Sequence, residues 1–157
     1  MRRIAVLFFA LIMTVAFTAC STTENVAKSP AVADVAKTVR SEISFPDMTE
    51  QLAEDLQYYG YGDLSTADIE EAYFAIASTG QTPEEIMIVK MKDDSKTADV
   101  KKLMEARRDN VAETAADYTP ELVEQLENAV IETKGAYAYY VVSGDSKKAK
   151  DIFDAQF

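Results

Sequence analysis

The chain has 157 residues, with 27 acidic against 16 basic side chains, one Cys, no His and no Trp. A net charge of −11 argues against a nucleic-acid binder, which needs a basic face to neutralise phosphates. The missing His excludes Ser–His and Cys–His nucleophile systems and His-ligated zinc, and a lone Cys excludes an internal disulfide.

The first twenty residues set the expected location. Arg2 and Arg3 make a positive head, and residues 4–17 carry no charge. Spanning a bilayer takes ~20 apolar residues, so this shorter run suits a signal peptide over residues 1–19. Phe17-Thr18-Ala19-Cys20 closes it. Small residues before a Cys resemble a bacterial lipobox, in which the Cys is diacylated on sulfur and becomes the first mature residue. The alternatives are an ordinary secretory signal ending near Ala19 with an incidental Cys20, and a retained membrane anchor. Cys20 has no disulfide partner in the chain, which favours lipidation. Two acyl chains suffice for stable anchoring. The expected partner is therefore the membrane, through a lipid at Cys20, on the extracytoplasmic face. Losing Arg2 and Arg3 makes the mature chain more acidic still, so an anionic bilayer surface repels it.

Residues 20–31 are rich in Ser, Thr and Ala and read as a flexible tether. The folded domain is expected over residues 32–157, with its core over about 64–157. Val32, Val35, Ala36, Val39 and Ile43 recur at helical spacing, and Ser44-Phe45-Pro46 stops that helix. Asp47 is expected to cap a second helix with Met48, Leu52, Leu56 and Tyr59 on one face. Gly60 ends it in a left-handed turn. Residues 72–78 read as a strand, and residues 86–91 (IMIVKM) are apolar and β-branched, the strongest strand signal in this half.

Val100, Leu103, Met104, Val111 and Ala115 mark a long helix. Thr119-Pro120 interrupts it, with Pro at the first position of the next helix. Residues 129–133 and 137–142 form a hairpin around Lys134-Gly135. Asp145-Ser146 caps a last helix with Ala149, Ile152 and Phe153 inward. Residues 94–98 (DSKTA) and 145–149 (DSKKA) echo each other after the two hairpins, a similarity explained mostly by shared capping residues. The expected fold class is α+β: a four-stranded antiparallel sheet in ββα-ββα order, helices on one face, N-terminal helices and a signal peptide ahead of it.

The lipobox, Glu85-Ile86-Met87-Ile88-Val89-Lys90, Tyr118-Thr119-Pro120-Glu121, Asn128-Ala129-Val130 and Lys134-Gly135-Ala136-Tyr137 together resemble a bacterial lipoprotein family, domain of unknown function 4358, found mainly in Firmicutes. The resemblance covers residues 64–157. It implies an exported, lipid-anchored protein and supplies no catalytic residues.

The site candidates are modest. Adjacent acids at Glu70-Glu71, Glu84-Glu85 and Asp93-Asp94 fit capping and solvation better than a catalytic pair. Lys101, Lys102, Arg107 and Arg108 read as an outer helix face. No metal-ligand spacing or phosphate loop is present, so no cofactor and no metal are expected. Tyr58, Tyr59, Tyr61, Tyr137 and Tyr139 are the binding candidates, because exposed rings stack on sugars or partner loops; half-buried core rings are their commoner use. The expected function is a non-enzymatic binding module at the cell envelope, with an envelope protein or glycan as partner. The alternative is an accessory enzyme or glycan-binding module of surface polysaccharide modification.

Overall fold

The computed structural model describes residues 28–157; the expected signal peptide, Cys20 and all but the last four residues of the expected tether lie outside the described residues. Helix α1 (Val32–Glu42) is followed by strands β1 (Met48–Glu50), β2 (Ile69–Ala77) and β3 (Glu85–Met91). Helices α2 (Thr97–Tyr118) and α3 (Val123–Glu127), strands β4 (Val130–Lys134) and β5 (Tyr137–Val142), and helix α4 (Ser146–Gln156) complete the chain. The sheet runs β1-β2-β3-β5-β4, and every neighbouring pair is antiparallel.

The sheet has five strands, not the four expected. The extra strand comes from residues read as helix. Met48–Glu50 pairs with Ala75–Ala77 at the sheet edge, and the Ser78 amide donates to the Asp47 carbonyl at 2.8 Å. Only Ala53–Tyr59 coils, as a 3-10 helix with Leu56 its one buried side chain. Leu52, expected inside, is 63% exposed. Pro46 biases Phe45 toward extended backbone, and the chain leaves it as a strand. Gly60 does end the coil in the left-handed region, at φ 88°.

The helices cover both faces, not one. On one side α1 and α4 bury Val35, Val39, Ile152 and Phe153 against Ile86, Ile88, Tyr139 and Val141. On the other, α2 and α3 bury Val100, Met104 and Leu126 against Met87, Val89, Tyr140 and Val142. Side chains alternate across a strand, and central strands β3 and β5 are apolar at nearly every position. Such a strand needs cover on both sides. The first helix, expected to precede the sheet, is thus half of one layer.

This arrangement also decides the echo between the halves. A two-fold axis normal to the sheet would exchange β2–β3 with β4–β5 and keep their helices on the same face. Here α2 and α4 lie on opposite faces, so the likeness is one of helix caps. The capping also differs: Asp145 accepts from the Lys148 amide at 2.9 Å and caps α4, whereas in the first half Asp93, one residue ahead of the echo, accepts from the Ser95 amide at 3.0 Å and opens a 3-10 turn before α2.

Candidate functional site

Helix α2 has 22 residues, about 33 Å at 1.5 Å rise per residue, longer than the sheet beneath it. Its inward stripe runs Val100, Met104, Arg107, Val111, Ala115. The first two positions are buried in the core; Arg107 and Val111 are half-buried. There the helix, the β2–β3 loop and the end of β2 enclose an open groove of about 780 Å³. Its walls include Ile76, Pro83, Val111 and Leu122, with Asn110 and Thr114 as hydrogen-bonding groups. The volume falls within the range of small-ligand clefts. Tyr118, ending α2 at the rim, is 81% exposed.

A charged set forms the groove floor. Glu85 opens β3 with the parity of Met87 and Val89, so it points beneath α2, and it is only 2% exposed. The Tyr61 hydroxyl donates to Glu85 Oε1 at 2.7 Å. Arg107 donates to Oε2 through Nε at 3.0 Å and reaches it through Nη2 at 3.0 Å. Both carboxylate oxygens are therefore engaged. Burial pushes the Glu85 carboxyl above its usual range, against the pull of Arg107 and Tyr61. Burial first, and Glu85 second, push the Tyr61 hydroxyl far up. Burial works against the Arg107 charge, yet Glu85 raises it overall. The guanidinium also sits 5.8 Å from the Tyr59 ring centroid, within cation–π range.

Glu84, one residue earlier, lies at the groove as well. Its Oε1 accepts from Gln125 Nε2 at 2.9 Å, while its Oε2 is closed off from solvent without a hydrogen-bond donor among the described residues. The Tyr140 hydroxyl is in the same condition in the core below α2.

The tyrosine candidates do not form one exposed strip. Tyr58 is 77% exposed. Tyr59 is half-buried, edge-on to Phe74 at 5.2 Å with its hydroxyl on Gln51. Tyr61 is fully buried in the α2-side core. Tyr137 and Tyr139 lie in the opposite core, where Tyr139 donates to the Ala149 carbonyl at 3.0 Å. The structure instead brings together Glu84, Glu85, Arg107 and Tyr118, none of them singled out as a site residue from sequence. Glu85 is neither capping nor solvated, and Arg107 does not lie on an outer face. Both fall on inward positions of their elements, and that was the available signal. Among the described residues there is no group of three or more Cys, Asp and Glu able to hold a metal ion, and no helix long and apolar enough to cross a membrane.

An antiparallel five-stranded sheet between two helical layers, with a half-polar groove at one sheet end, defines an α+β domain. The chain belongs to the family described as domain of unknown function DUF4358, whose model matches residues 41–143. No curated protein and no solved structure matches the chain.

Proposed function

We propose that this protein is a lipid-anchored binding module of the cell envelope. Acyl chains on Cys20 hold it at the extracytoplasmic face, and the groove takes a short stretch of a partner polypeptide bearing a basic side chain. The anchor rests on the sequence: the positive head, the uncharged run and the small residues before Cys20. The ligand class rests on one observation, the donorless Oε2 of Glu84 in a groove where Glu85 is already offset by Arg107. A buried acceptor without a partner costs ~1–3 kcal/mol, more when charged. A ligand that displaces the cover over this oxygen and brings an N–H donor removes that cost. Apolar walls suit an aliphatic stem, as a Lys side chain has. Binding rather than catalysis fits Glu85, because a carboxylate with both oxygens engaged is a poor base or nucleophile.

The groove is tested with residues 21–157 by amide chemical-shift mapping against n-butylammonium, butyrate and a methyl glycoside. Butylammonium is expected to move amides at residues 82–85 and 107–118, and Glu84→Gln to abolish the response. Equal shifts with butyrate would refute the cationic ligand. A glycoside response centred on Tyr118, without an ammonium response, would move the reading to glycans. The anchor is tested by palmitate labelling in cells: Cys20→Ser is expected to lose both label and membrane fractionation, and retention of both sinks the anchoring.

A further inference from the structure

The entry of the chain into the domain is pinned at one pole. Lys28 Nζ donates to the Ala155 carbonyl at 2.6 Å. Ser29 Oγ lies 2.9 Å from the Tyr137 hydroxyl, which also donates to the Pro30 carbonyl at 2.8 Å. The Val32 amide donates to Glu71 Oε2 at 2.8 Å. Glu71, Lys90, Tyr137 and Lys134 are consecutive partners across the sheet, so one rung receives the incoming chain. The groove sits on another rung, where Ile76 partners Glu85 and Glu85 partners Val142. Along β3, Lys90 is five steps from Glu85, about 17 Å at ~3.3 Å per residue.

We infer that this clamp makes the groove the membrane-distal pole of the anchored protein, so its partner is a water-side envelope component and not a lipid headgroup. The inference rests on the anchor proposed at Cys20. Lys28 is eight steps along the chain from Cys20, a reach of at most about 28 Å at ~3.5 Å per residue. The tether therefore starts from the Tyr137 rung, which biases that pole toward the bilayer while repulsion holds the acidic domain off an anionic surface. Tyr137 does the positioning. Its ring is buried, and its hydroxyl holds Ser29 and Pro30 just ahead of α1, which fixes this side of the domain as the place where the chain enters.

The test uses the full-length acylated protein in phosphatidylcholine vesicles containing phosphatidylglycerol. A donor fluorophore is placed at Thr82→Cys beside the groove or at Lys134→Cys on the entry rung, with a lipid-borne acceptor in the bilayer. Energy transfer from position 134 is expected to exceed that from position 82. Adding Tyr137→Phe, which keeps the ring and drops the hydroxyl, is expected to narrow the difference. Equal transfer, or stronger transfer from 82, overturns the orientation, and an unchanged difference with Tyr137→Phe overturns the role of the clamp. Protein that fails to float with the vesicles overturns the anchor itself, a separate outcome.

Discussion

Two tyrosines under α2 differ in one respect, and the difference is measurable. Tyr61 donates to a carboxylate, whereas the Tyr140 hydroxyl has no partner among the described residues. Tyr61→Phe is expected to destabilise the domain by ~1.5–3 kcal/mol, the worth of a hydrogen bond to a charged group. Tyr140→Phe is expected to be neutral or stabilising, because it removes a desolvated polar atom. Urea unfolding of the two variants checks the contrast; a larger loss for Tyr140→Phe would mean its hydroxyl is satisfied in solution. Glu85 carries a pH signature. Its folded-state pKa is raised, so the unfolded chain gives up this proton first, and stability from this group declines as pH rises from about 4.5, the ordinary value, through the folded value. Glu85→Gln cannot titrate. The stability of wild type relative to Glu85→Gln should therefore fall over that interval, followed by thermal melts against pH. A rise instead would mean that Arg107 outweighs burial. Both residues were legible in principle. Arg107 fills the gap in an inward stripe otherwise made of Val100, Met104, Val111 and Ala115, and Glu85 shares the parity of Met87 and Val89. Each pattern alone looks like a surface charge beside a core. Only placing α2 over β3 makes them partners, and no local pattern encodes that placement.

At the level of elements, the family match and the folded layers have different limits. Residues 41–143 hold the whole sheet with α2 and α3 but leave out α4 and nearly all of α1. Those two helices are the cover of one sheet face. Val32, Val35 and Val39 alone are buried almost completely, about 1.5–3 kcal/mol each on transfer grounds. A fragment of residues 41–143 is expected to show no cooperative unfolding and to bind a hydrophobic dye, whereas residues 28–157 melt in one transition. Cooperative melting of the short fragment would show that the α1–α4 layer is dispensable. The strands were the most legible elements, since Glu85–Met91 and Tyr137–Val142 are apolar runs bounded by Pro, Gly and Asp. β1 was not. Met48, Leu52 and Leu56 have helical spacing, yet three residues of edge pairing with β2 outcompete a short helix that would bury little.

Across the whole molecule, the order hairpin–helix, hairpin–helix could be read from the chain, while the side on which each helix lands could not. Caps and periodicity say where a helix starts and which of its faces is apolar; they are silent on which sheet surface it covers. That choice falls to the connections, here a short step from Met91 into α2 and from Val142 into α4. The pairing of β3 with β5 joins strands separated by residues 92–136. The middle of the sheet therefore joins the two neighbouring strands with the longest intervening chain, and closing that span costs chain entropy before any contact offsets it. A polypeptide emerging from its amino end has no centre to build on until residues 137–142 arrive. The native sheet is thus withheld until nearly the last segment is delivered, and β1–β3 wait as an open edge until then.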